Sequence, residues 1–244
     1  MTVREMESRR DFLLLSTVTG AGLILGNTAG CTGAATSDAG QGKEGEVTAT
    51  EDLMREHGVL RRALLVYTAA VSRLRRDPLS VPPDALQKAA GLFRTFGEDY
   101  HEKKLEESFI FPAVKRAGGP AAALADVLIL QHQRGREITD YILALTKRGR
   151  LSGTDAGDLA RVLEELVLMY RNHAAREDTV VFPAWKRTLT DRQLDEMGDK
   201  FEEIEQQMFG KDGFEDAVKK ITEIEAGLGL SDLAQFTASP PPKS

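Results

Sequence analysis

A single cysteine, Cys31, in 244 residues excludes an internal disulfide framework and any cysteine-based zinc site. Basic charge is not in excess either. Lys and Arg number 32 against 38 Asp and Glu, for a net charge of −6, and no basic face carries interleaved aromatics, which argues against nucleic-acid binding. The apolar stretch from Phe12 to Gly26 is too short and too rich in glycine for a good membrane span. Proline is sparse outside the C-terminal Pro240-Pro241-Pro242 run, which suits a soluble helical protein. Histidine is scarce as well, and all four copies fall into one pattern.

That pattern is clearest at His173-Ala174-Ala175-Arg176-Glu177, followed by Val181-Phe182-Pro183-Ala184-Trp185-Lys186-Arg187. Residues four apart share a helix face, so His173 and Glu177 point the same way. Leu159, Leu163, Leu166, Tyr170 and Val180 extend the same stripe, which marks it as inward-facing. A carboxylate is rarely buried without a partner. Taken alone, this motif fits a satisfied core histidine with a nearby arginine as well as it fits metal ligation.

A second copy changes the balance. His101-Glu102-Lys103-Lys104-Leu105-Glu106 leads into Phe111-Pro112-Ala113-Val114-Lys115-Arg116. Phe-Pro-Ala-x-Lys-Arg occurs twice, each time with a Glu five residues before the Phe. His57 and His132 each lie upstream of one copy. Internal repetition of this kind implies repeated structural units, here two helix pairs that present His and carboxylate to a shared core.

The chain reads as four long helices with short connections, an all-α, up-down-up-down antiparallel four-helix bundle over residues 50–189. Thr48 or Thr50 opens the first helix, with Leu53, His57, Leu60, Leu64, Tyr67, Val71 and Leu74 as its core stripe. Asp77-Pro78 ends it. Pro82-Pro83-Asp84 opens the second, which carries His101 and runs to about Arg116. Gly118-Gly119-Pro120 breaks the chain before a third helix that carries His132. Thr154 or Asp155 caps the fourth. Each helix thus places one His on its inward stripe, and two inward glutamates join them. Left unpaired, such buried groups would cost several kcal/mol each; a buried metal cluster satisfies them together.

These residues are similar to the hemerythrin-like, HHE cation-binding family over roughly residues 50–190. The resemblance implies a non-haem di-iron centre, with two iron ions held by His57, His101, Glu106, His132, His173 and Glu177. Residue type admits manganese or zinc as well. The partner it implies is O2 or a related small molecule. An oxidoreductase built on the same centre, for ferrous-iron oxidation or peroxide reduction, is the second reading. A metal-free helical lipoprotein that serves as an interaction module is the third.

Two departures from the family pattern stand out. His101 and Glu106 are five residues apart, not four, which on a regular α-helix turns the carboxylate about 140° away from the imidazole. A π-bulge would restore it. Glu102 is the alternative ligand, or else a solvated charge in a Glu-Lys-Lys run. On helix three, oxygen-carrying hemerythrins have a further His one turn beyond the ligand; Arg136 stands there, as a site residue or as plain surface charge. Six protein ligands leave more of the coordination sphere open. Pro112 and Pro183 free carbonyls at Ser108 and Thr179 and should kink both helices just past the ligands. Tyr100 and Tyr170 precede ligand histidines, as hydrogen-bond donors or as core aromatics.

The ends are read separately. Ser8-Arg9-Arg10-Asp11-Phe12-Leu13 resembles a twin-arginine export signal, so residues 1–30 are assigned as a targeting segment and the protein as periplasmic or on the outer face of the membrane. Thr28-Ala29-Gly30-Cys31 is similar to a lipoprotein cleavage site, with Cys31 as a lipid anchor; cleavage near Ala34-Ala35-Thr36 is the alternative. Residues 31–49 have nothing to bury and form a flexible linker. Residues 190–230 read as a helical extension that Thr190 caps. Residues 231–244 read as a disordered tail.

Overall fold

The first helix starts at Thr48. Its hydroxyl accepts from the Glu51 N–H while the Glu51 side chain accepts from the Thr48 N–H, a reciprocal capping box. Thr50, the other candidate cap, lies inside the helix. The computed structural model describes residues 47–242, so the export motif, Cys31 and most of the expected linker lie outside the described residues. From Thr48 onward the chain forms one compact unit, all helical and without strands among the described residues.

Among the described residues there are six helices. Helix α1 spans Ala49–Arg76 and ends at Asp77, whose side chain caps a 3-10 turn, Pro78–Ser80. Helix α2 occupies residues 83–117 and changes type twice: α over Pro83–Leu92, π over Phe93–Ile110, and α over Phe111–Ala117. Helix α3 spans Gly119–Thr146. The turn before it has positive φ at both Gly118 and Gly119, a conformation that side chains with a Cβ resist. Helix α4 occupies residues 153–186, with a short π segment, Glu177–Val181, between Gly153–Arg176 and Phe182–Lys186. Its cap is Ser152, in a capping box with Asp155. The cap therefore falls earlier than Thr154 or Asp155, because only Ser152 has the extended backbone that lets its hydroxyl reach the N–H of Asp155.

Helix α1 packs against α4 and α2 against α3, with α3 also meeting α4. All seven residues of the expected α1 stripe are buried. Phe93, Phe96, Phe111, Phe182 and Trp185 fill the interior, and burial of each side chain of this size contributes ~1.5–3 kcal/mol. Helix α5, Asp191–Phe209, is capped by Thr190. Helix α6 spans Gly213–Gly227. The two lie against α1 and α2: Phe209 meets Phe96 and Tyr100, and Phe201 stacks on Trp185. Within the segment read as a tail, Leu233–Phe236 forms a 3-10 turn that the Asp232 side chain caps. No helix among the described residues is long and apolar enough to cross a membrane.

Candidate metal centre

The π segment of α2 decides where Glu106 points, whereas Glu177 follows His173 by one regular α turn. In a π-helix the hydrogen bond runs five residues back, so a residue five positions on lies one turn above. Phe111 N–H bonds the Glu106 carbonyl, and Phe182 N–H bonds the Glu177 carbonyl. Both bonds end one residue before a proline. Pro112 and Pro183 lack an N–H and crowd the carbonyl four back; widening the turn relieves both problems. A π segment ends just before each of the two prolines. In α2 the segment, Phe93–Ile110, is far longer than a one-residue bulge. The second segment, in α4, was not legible from the four-residue spacing of His173 and Glu177.

The six residues singled out in the sequence converge. His101 Nε2 lies 3.3 Å from Glu106 Oε1, and His132 Nε2 lies 3.3 Å from Glu106 Oε2. His173 Nε2 is 2.9 Å from Glu177 Oε1, and His57 Nε2 is 3.5 Å from Glu177 Oε2. Each carboxylate thus spans two imidazoles. All six side chains are buried. They form two overlapping groups that could hold a metal ion, one of Glu106, His132, His173 and Glu177, the other of His57, His101 and Glu106.

The opposite ring nitrogens reveal a set of residues that sequence reasoning missed. Glu56 on α1 holds His101 Nδ1 at 2.6 Å. Glu107 on α2 holds His132 Nδ1 at 2.9 Å. Gln131 on α3 holds His173 Nδ1 at 2.9 Å. Asp178 on α4 holds His57 Nδ1 at 2.7 Å. Each helix orients the imidazole of the next, and α4 closes the ring back to α1. The signal was present in the chain: each of the four is the immediate neighbour of a proposed ligand. It went unread because each serves a histidine on another helix.

Glu102 is buried, not solvated. It lines the same cavity as His57, His101, Glu106, His173 and Glu177, yet its oxygens are engaged elsewhere. Its Oε1 accepts from the Tyr170 hydroxyl at 2.7 Å, and its Oε2 lies 3.2 Å from the Arg136 guanidinium. Arg136 also reaches Glu107 at 2.7 Å and the Glu98 carbonyl at 3.4 Å. Glu102, Glu107 and the outer nitrogen of His132 form a third group of ligand atoms, but the arginine supplies the cation there. Tyr170 reaches Glu102 only because position 135 is glycine: a Cβ there would sit 2.0 Å from the Tyr170 oxygen. Tyr100 donates to Glu56 at 3.1 Å, so both tyrosines hold carboxylates.

A family model for the hemerythrin HHE cation-binding domain matches residues 48–185. The chain belongs to the hemerythrin HHE cation-binding family. Uncharacterized proteins of Mycobacterium bovis and Mycobacterium tuberculosis are similar to it, at 44% identity over 198 residues, covering 81% of this chain and 76% of theirs. No solved structure matches.

The residues of this HHE chain fit a cation. Asp178, Glu56, Glu107 and the Gln131 oxygen only accept hydrogen bonds, so each Nδ1 carries the hydrogen and each neutral ring turns a lone pair inward from Nε2. His132 Nε2 and His173 Nε2 face each other at 3.0 Å, a repulsive pair unless positive charge sits against it. His101 Nε2 and all four oxygens of Glu106 and Glu177 have no hydrogen-bond partner, a costly state for buried polar atoms. Protons answer the same need. Burial works against a charged His132, yet Glu102, Glu106 and Glu107 push its pKa up to about 10. Burial likewise opposes ionised Glu106, but His101 and His132 hold its carboxyl well below the usual range. A metal ion takes the place of those protons, which couples its binding to their release. The cluster itself encloses a cavity of ≈ 10 Å³, lined by His57, His101, Glu106, His173 and Glu177 with Leu60, Leu64, Phe93, Tyr170 and Ala174 among the rest, room for about one water-sized molecule.

Proposed function

We propose that this protein holds two iron ions in the His/Glu cluster and binds O2 or a related small molecule at that centre. The observation that carries the proposal is the twofold set of inward Nε2 atoms around two carboxylates that lack any other partner. Nitrogen and oxygen donors without thiolate suit iron, with manganese and zinc as competitors. Bound iron would supply redox chemistry and open coordination positions; the chain supplies the apolar side chains of Leu60, Leu64, Phe93 and Ala174 beside the ligands. Arg136 stands where oxygen-carrying relatives have a further histidine, and its charge is committed to Glu102 and Glu107. Six protein ligands result.

One observation favours the second reading, a di-iron oxidoreductase. Tyr170 and Glu102 both line the cavity and share a hydrogen bond, a pair able to carry a proton to a bound molecule. Export by the twin-arginine route, with a lipid on Cys31, would place either activity at the cell envelope. The test is to load purified protein with ferrous iron under anaerobic conditions, desalt it, count the iron and add O2. About two retained ions and a reversible change in absorption support O2 binding. Steady consumption of O2, peroxide or ferrous iron supports turnover. Well-folded protein that retains no metal leaves only the interaction-module reading.

A further inference from the structure

The ring of orienting residues is symmetric except at one position. In the sequence repeat, Glu56 and Gln131 are equivalent: each immediately precedes the first histidine of its helix pair. Glu107 and Asp178 are likewise equivalent: each immediately follows the carboxylate of its pair. Three of the four imidazoles therefore give their Nδ1 hydrogen to a carboxylate, and His173 alone gives it to an amide oxygen, that of Gln131 at 2.9 Å.

The chemical consequence follows from charge. A carboxylate on the outer nitrogen makes the imidazole a stronger donor at Nε2, fixes its tautomer and adds negative charge near the cation; an amide fixes the tautomer but adds no charge. The two imidazoles nearer the first ion, His57 and His101, both have this support, and the Glu56–His101 contact is the shortest of the four at 2.6 Å. On the other side, His173 lacks it. An arginine shares one carboxylate on each side, Arg136 on Glu107 at 2.7 Å and Arg61 on Asp178, so the amide at His173 is what separates the two.

We infer that the two metal positions are unequal: the ion at His57 and His101 binds more tightly, the ion at His132 and His173 is the weaker and more exchangeable one, and Gln131 sets the difference. This rests on the proposed metal-binding function. Gln131 is a positioning residue that acts through His173. A centre built this way fills in order, and it can be emptied to one ion without losing the other.

The experiment is an anaerobic titration of the metal-free full-length protein with ferrous iron, against a chromogenic chelator as competitor, with circular dichroism to check folding. The expected result for the natural sequence is two uptake steps. Gln131→Glu restores the repeat symmetry and should tighten the weaker step by about tenfold, within the 10–100-fold range of such outer partners, leaving the tighter step in place. Glu56→Gln makes the opposite change: the tighter step should weaken by a similar factor. It keeps the inference testable if the first variant fails to fold. A single step that takes up both ions in the natural protein, or folded variants that leave both steps unmoved, would overturn the inference. Absence of any uptake by folded protein would be a different result: it would remove the metal-binding reading itself, and this inference with it.

Discussion

His101 Nε2 lies 3.3 Å from Glu106 Oε1 although five residues separate them. On an α-helix that spacing points the two side chains apart by about 140°. The π-helix of Phe93–Ile110 brings them into line, and it turns Glu102, the immediate neighbour of His101, toward Tyr170 and Arg136. Backbone hydrogen bonding, not side-chain preference, selects which of the two glutamates faces the imidazoles.

That selection gives the first prediction. Glu106→Gln should lower retained iron from about two ions per chain to one or none, since Glu106 belongs to both ligand groups. Glu102→Gln should retain both ions. Metal analysis of the desalted proteins decides the matter, and equal retention by the two variants would count against the assignment.

Gly135 offers a second test. Its Cβ, if present, would lie 2.0 Å from the Tyr170 oxygen, so Gly135→Ala forces the ring or the helix aside. The expected cost is about 1–3 kcal/mol of stability, read as a lower urea midpoint with an unchanged slope. Tyr170→Phe added to Gly135→Ala removes the clashing oxygen and should recover part of that loss.

The third prediction concerns pH. Burial pushes the Glu98 carboxyl up to about 7 from its ordinary 4.5, Thr139 opposing, Glu102 adding to the rise, and Arg94 and Arg136 opposing. The folded chain therefore keeps this proton where the unfolded chain has lost it. The resulting stabilisation is full below about 4.5 and is lost as pH rises through about 7. Glu98→Gln cannot titrate. Its stability, measured by urea unfolding of the metal-free protein, should fall less across that window than that of the natural sequence.

Export is tested apart from the fold. Replacing Arg9 and Arg10 by Lys should hold the precursor in the cytoplasm, because a receptor reads the arginine pair as such. Cys31→Ala should release the protein from the membrane fraction. Normal export of the lysine variant would remove the twin-arginine assignment, and unchanged fractionation of Cys31→Ala would remove the lipid.

The sequence by itself determined the bundle and the identity of the converging side chains. Apolar residues at alternating steps of three and four fix which face of each helix turns inward, and a histidine or glutamate on that stripe has nowhere else to go. His57, His132, His173 and Glu177 were legible for that reason. So was the strain at Pro112 and Pro183, since a missing N–H is a property of the residue alone. Tertiary structure decided the rest. The length of the π-helix in α2 and the presence of a second one in α4 depend on how each chain segment packs once the prolines have displaced the ladder. The orienting ring of Glu56, Glu107, Gln131 and Asp178 joins residues on different helices. Periodicity along one helix carries no information about which neighbour it meets, or at what height, so a contact between helices is decided only when the bundle has closed.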